Sequence, residues 1–174
     1  SKEHCQIWNT KWRGAGIPPA MLIDENDEPS FLHVLSEANT KTHNYHYVRR
    51  VDGKWKTTKI CPSNHQWNSA YLAKDSAGKL HAYVITGEGY LEGGYMDRHG
   101  GGRIEEWTSS DTGEAWELHR ALRADEEQYA GWRFNNIQPV TYPDGSFVDG
   151  MLIFYGWKDP NRPEAKAFLL DESQ

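Results

Sequence analysis

Apolar residues recur along this chain in short runs, many of them alternating with polar residues, and clusters of Gly, Pro, Asp and Asn separate the runs. A period of two is what a half-buried strand shows, and no helical period persists long enough to compete with it. The pattern predicts an all-β chain. Three segments repeat one arrangement of strand, Asp/Gly turn and apolar strand: Pro19–Ile23 through Phe31–Leu35, Ser69–Ala73 through Leu80–Ile85, and Gln138–Tyr142 through Met151–Tyr155. Outer hairpins follow the first two, Tyr45–Val51 with Trp55–Ile60 and Arg103–Thr108 with Trp116–Leu122, whereas the third unit stops after Lys166–Leu170. The expected units are 18–60, 68–122 and 136–174. A spacing of roughly 50 to 70 residues lies near the period of propeller blades.

Between the last predicted hairpin's strands, Ser109-Ser110-Asp111-Thr112-Gly113-Glu114-Ala115-Trp116 matches the Asp-box pattern S-x-D-x-G-x-x-W. Ser and Asp oxygens accept backbone N–H bonds within such a turn, Gly supplies a positive φ, and Trp fills the gap between neighbouring blades. Asp52-Gly53-Lys54-Trp55 reads as a shortened version at the equivalent place. The fold expected is a β-propeller of four-stranded antiparallel blades, all within one domain, of which this chain supplies about two and a half. Such a set cannot close a ring, so the remaining blades are expected from a missing segment or a second chain. The alternative is a small β-sandwich.

With 174 residues, 37% hydrophobic and 25% charged, the chain has the composition of one soluble globular domain. A formal charge of −6 argues against a general nucleic-acid binder. Neither a membrane-spanning apolar run nor a leader peptide is visible, and a secreted or periplasmic location is expected with any leader already removed. Cys5 and Cys61 leave a disulfide, two buried thiols and a metal site all open. The aromatic fraction of 13% suits sugar stacking as well as blade packing.

In a four-stranded blade the first and third turns lie on one face, and the other connections lie on the opposite face. The first set here is short and reads as scaffold; the second is long and chemically rich. It contains the glycine-rich loop Thr86–Gly102 with Tyr90, Tyr95, Arg98 and His99, followed by Arg103. It also brings His65, Trp67 and Asn68 before one inner strand, and Trp132, Arg133, Asn135 and Asn136 before the next, with His46 at the start of a third strand. His33, His81 and His119 sit within strands as packing or surface residues. The amides suit sugar hydroxyls, and Trp132 suits a stacking platform. A metal could be drawn from His4, Cys5, Cys61, His65 and His99, although no short zinc-ligand spacing is present.

His43-Asn44-Tyr45-His46-Tyr47, Asn64 to Ser69, Arg103 to Trp107 running into the Asp-box, and Asp149-Gly150-Met151-Leu152 together resemble the Asp-box propellers that act on polysaccharides. Among these the layout is most similar to ulvan lyases and related seven-bladed polysaccharide lyases. The resemblance implies β-elimination in an acidic, uronate-containing polysaccharide. A cation neutralises the carboxylate, a base removes the proton beside it, and an acid protonates the departing oxygen. Placement and chemistry give Arg98 or Arg103 the first role, His65 the second, and Tyr95 that of acid or auxiliary base, with His99 in reserve. His46, Trp67, Asn68, Tyr90, Trp132, Arg133, Asn135 and Asn136 are the expected substrate contacts. No cofactor is required for the chemistry, and the resemblance adds a structural zinc or calcium ion as an expectation. The rivals are a sialidase-like hydrolase, for which Glu88, Glu92 and Asp97 could serve, and a non-catalytic carbohydrate-binding propeller.

Overall fold

The structure, a computed structural model, describes residues 6–9, 20–36, 42–89, 100–110, 112–123, 129–158 and 164–171. Its strands are β1 (Ala20–Ile23), β2 (Pro29–Ser36), β3 (His43–Val51), β4 (Lys54–Ser63), β5 (Ala70–Lys74), β6 (Leu80–Thr86), β7 (Arg103–Ser109), β8 (Glu117–Arg123), β9 (Arg133–Thr141), β10 (Phe147–Trp157) and β11 (Ala165–Asp171). They form two four-stranded sheets, β1 to β4 and β5 to β8, and one three-stranded sheet, β9 to β11. Within each sheet, strands consecutive in the chain pair antiparallel.

One turn design opens all three sheets. Asp24 Oδ1 accepts the N–H groups of Asn26 and Glu28 at 2.8 and 3.0 Å, and Asp75 Oδ1 accepts those of Ala77 and Lys79 at 2.9 and 2.8 Å. Asp144 Oδ1 likewise accepts the Ser146 N–H at 2.9 Å. Each turn then needs one left-handed residue, supplied by Asp27 (φ 60°), Gly78 (φ 85°) and Gly145 (φ 85°). The side-chain acceptor takes over backbone donors that the strand ladder leaves unpaired, which is why Asp recurs there.

The Asp-box closes the β7–β8 hairpin. Ser109 Oγ accepts the Gly113 N–H at 3.0 Å, and Trp116 Nε1 donates to the Gly113 carbonyl at 3.3 Å. Trp116 stands edge-on to Tyr47 of the first sheet, with ring centroids 5.5 Å apart. The expected plug between sheets is therefore present. Asp111, at the centre of the box, falls outside the described residues.

The sheets stack in chain order through two apolar layers. Leu32, Val34, Tyr45 and Tyr47 of the first sheet meet Leu72, Ala82 and Val84 of the second. Tyr83, Ile85 and Ile104 on its other face meet Phe134, Leu152 and Phe154 of the third. Phe134 and Phe154 are both fully buried and edge-on at 5.1 Å; burying each such side chain contributes about 1.5–3 kcal/mol. The opening strands lie side by side, β1 against β5 and β5 against β9. This all-β arrangement is consistent with part of a β-propeller, and no barrel closes among the described residues.

Several strands run further than the sequence pattern predicts. His43 and Asn44 belong to β3, Cys61 to Ser63 belong to β4, and Arg133 to Asn136 belong to β9 rather than to loops. Cross-strand pairing, Asn44 with Pro62 and Tyr155 with Asn136, holds these polar residues in the ladder against their own weak strand preference.

Candidate functional site

Antiparallel alternation places the ends of β4, β6 and β10 and the starts of β5, β7 and β9 on a single rim. Asn68 is the hub of a polar network there. Its amide nitrogen donates to Ser63 Oγ at 3.4 Å and to Asn64 Oδ1, and its oxygen accepts the Gly100 N–H at 2.7 Å. Asn64 Nδ2 in turn donates to the Gly100 carbonyl at 2.6 Å. Gly101 exchanges two 2.8 Å backbone bonds with Phe134 of the third sheet. The two asparagines and β9 thus grip the C-terminal end of the glycine-rich loop, the part of that loop joined to Arg103.

Several expected site residues turn out to be structural. His65 is fully buried, and its Nδ1 accepts the Trp67 N–H at 3.0 Å. The imidazole expected as the base is thus packed into the 63–68 turn, with one ring nitrogen committed to the backbone. Trp67 is exposed and stands edge-on to His65 at 5.2 Å. Asn68 is buried with its amide committed to the network above, so it offers sugar hydroxyls little. His46 is buried beneath Trp8, at 5.6 Å, and its Nδ1 donates to the Asn44 carbonyl at 3.0 Å. It lies on the face of the first sheet turned away from the second, because Tyr45 and Tyr47 on either side of it point to the shared layer.

Trp132 is also buried, edge-on to Phe168 at 5.2 Å and with Lys166 Nζ 5.5 Å from its ring centre. A ring so covered is a packing element rather than a stacking platform. Asn136 donates to Tyr155 Oη at 2.9 Å and accepts from Ser69 Oγ at 3.4 Å, tying the second and third sheets together. Asn135 is half-buried, and its Oδ1 has no hydrogen-bond partner among the described residues. Tyr90, Tyr95, Arg98 and His99 lie outside the described residues, as do His4 and Cys5. Cys61 is a free, buried thiol whose ionisation burial pushes far upward. Among the described residues no group of three His, Cys, Asp or Glu could hold a metal ion.

Two cavities open on the rim on either side of Arg103. The first, of about 440 Å³, lies between the second and third sheets and is lined by Glu88, Arg103, Tyr129, Trp132 and Arg133 together with glycines. Arg133 is held by its own bonds to the Trp132 carbonyl at 2.9 Å and the Gly89 carbonyl at 3.5 Å. The second, of about 340 Å³, lies between the first and second sheets and is lined by Cys61, Ser63, Thr86, Arg103, Glu105 and Trp107 among others. Arg103 borders both, with its side chain about half exposed at 48%. Glu105 and Trp107 were not legible as site residues from their strand positions, nor Thr86 from its place at the start of the glycine-rich loop; pairing of Thr86 with Arg103 brings them to this rim.

A third cavity, of about 240 Å³, lies on the opposite face among the short turns. Several of its charges are engaged: Arg49 pairs with Glu114 at 2.9 Å, Arg50 with Glu28 at 3.8 Å, and Asp24 holds its own turn. Glu25 and Lys74 also line it.

No protein-family model matches the chain. No curated protein matches it either. Nine chains of solved structures do, among them a protein from Lactobacillus plantarum determined by a structural genomics consortium. The two are 10% identical with a TM-score of 0.43, and the match covers 88% of this chain and 41% of that one. This chain thus spans less than half the length of that protein.

Proposed function

We propose that this chain is part of a propeller that binds an acidic, uronate-containing polysaccharide and cleaves it by β-elimination. The observation that carries the reading is the 440 Å³ rim cavity lined by both Arg103 and Arg133. With Glu88 as the facing carboxylate, the described charged groups there sum to a net positive charge, which suits a carboxylate ligand. Arg103 or Arg98 neutralises the uronate, and the acid and base are assigned to Tyr95 and His99 of the glycine-rich loop. His65, fully buried, takes no part in proton transfer.

Further blades complete the ring, seven in the favoured reading. Support comes from the third sheet, whose face away from the second exposes Ile153, Tyr155 and Leu169 at 44%, 41% and 58%. The corresponding faces of the first two sheets are the apolar layers of the interior.

A second reading, a non-catalytic carbohydrate-binding propeller, is favoured by one observation: no described histidine lines either rim cavity. Incubation with a panel of uronate polysaccharides separates the cases. Rising ultraviolet absorbance from unsaturated ends supports the lyase, new reducing ends without absorbance mean hydrolysis, and binding without either means a carbohydrate-binding propeller.

A further inference from the structure

Thr86, Arg103, Glu105 and Trp107 share one face of the second sheet. Thr86 pairs with Arg103, Val84 with Glu105 and Ala82 with Trp107, so the side chains of all six point toward the first sheet. Val84, Ala82 and Trp107 fill the apolar layer, and above them the face turns polar and opens into the 340 Å³ cavity.

One polar group in this cavity lacks a partner among the described residues, and another keeps spare acceptor capacity. Thr86 is 8% exposed, and its Oγ1 makes no hydrogen bond with any described residue. Glu105 is 7% exposed; its Oε2 accepts the Trp107 indole N–H at 3.0 Å, and its Oε1 forms an ion pair with Arg103 Nη1 at 3.7 Å, longer than a hydrogen bond. A buried hydroxyl left open costs about 1–3 kcal/mol unless something fills the site.

From this geometry we infer that the cavity is a subsite for an uncharged sugar unit. One hydroxyl of the ring donates to Glu105 Oε1 and accepts from Arg103, and a neighbouring hydroxyl exchanges a bond with Thr86 Oγ1. Glu105 and Arg103 balance in charge here, so the cavity offers a carboxylate or sulfate no net positive charge and suits a neutral unit, in contrast to the neighbouring cavity, where Arg133 adds a second cation. The volume lies within the range of small-ligand sites. The inference rests on the carbohydrate reading above and deepens it: the polymer carries a neutral sugar beside its uronate.

The test titrates the full chain with D-galactose, D-glucose, D-mannose, D-xylose and D-glucuronate while following the Trp107 indole N–H resonance, assigned through Trp107→Phe. The expected result is a saturable shift with at least one neutral sugar and none with glucuronate. Glu105→Gln and Thr86→Val are each expected to weaken that binding about tenfold or more. Thr86→Val keeps the side-chain shape and removes an unpaired hydroxyl, so its melting temperature is expected to stay level or rise, which excludes misfolding as the cause. Absence of a shift with all four neutral sugars, or wild-type binding in both variants, overturns the subsite. Unsaturated-product formation from uronate polymers is measured in parallel. Sugar binding at Trp107 without any cleavage keeps the subsite and ends the lyase reading; cleavage with an unchanged KM in both variants does the reverse.

Discussion

Glu106 Oε1 accepts a 2.7 Å hydrogen bond from His81 Nδ1 on the neighbouring strand, and Arg120 Nε donates to its other oxygen at 2.6 Å. His81 Nε2 reaches Asp75 at 3.3 Å, so both ring nitrogens face carboxylates. Burial by itself would raise the Glu106 pKa, but the bonds from His81 and Arg120 outweigh it and hold the carboxyl down at about 2. The Glu106 bond, against the opposing effect of burial, raises the His81 pKa.

Glu106, depressed on folding, contributes stability that is present above its ordinary value of 4.5 and is lost as pH falls toward 2. His81, raised on folding, contributes stability that is full below 6.5 and fades as pH climbs through its higher folded value. Glu106→Gln is therefore expected to lower stability by about 3 kcal/mol near pH 5–6, with the gap to wild type shrinking toward pH 2. Thermal melts of both proteins across pH 2 to 9 check it. A gap that does not vary with pH would refute the ionic account.

The opening turns supply an internal control. Asp27 holds the left-handed position that Gly78 and Gly145 hold in the other sheets. Asp27→Gly is expected to be neutral to stabilising by up to about 1 kcal/mol, and Gly78→Ala destabilising by about 1 kcal/mol. Urea midpoints at constant slope measure both.

Gly113 answers to a different constraint. A Cβ there would fall onto the Tyr47 ring, and the residue also sits at φ 88°. Gly113→Ala should lose about 2–4 kcal/mol by parting the first and second sheets. Tyr47→Ala, which makes room, is expected to cost less in the Gly113→Ala background than alone; a double-mutant cycle in denaturant reads the coupling.

Asn68 holds Gly100 through its side-chain oxygen. Asn68→Ala leaves the Gly100 N–H and Asn64 Oδ1 without that partner, at about 1–3 kcal/mol. Hydrogen exchange at the Gly100 and Gly101 amides is expected to accelerate more than exchange in β2 or β6; uniform acceleration would mean that the amide merely supports global stability.

On the proposed chemistry, Arg103→Ala is expected to reduce unsaturated-product formation about a hundredfold or more, with Arg103→Lys recovering part of it because a point charge replaces the planar fork. Initial rates by ultraviolet absorbance decide. Full activity in Arg103→Ala would remove the neutralising role.

The all-β class, the three antiparallel sheets and the tight 109–116 turn were legible along the chain because they depend on local physics: alternation of period two, side-chain acceptors in tight turns, and positive φ at Gly or Asp. So was the rim that gathers the long connections, which follows from strand alternation alone. Burial was not legible. His65, Trp132 and Asn68 look like binding residues by type and loop placement, and only the packing of neighbouring sheets shows that their polar atoms and faces are already occupied. Glu105 reads as an ordinary strand residue and Thr86 as the first residue of the glycine-rich loop until pairing across β6 and β7 sets them beside Arg103 at the mouth of a cavity. Local sequence determines which turn or strand a segment forms; whether a side chain meets water, a ligand or another sheet depends on residues distant in the chain, and tertiary structure alone decides that.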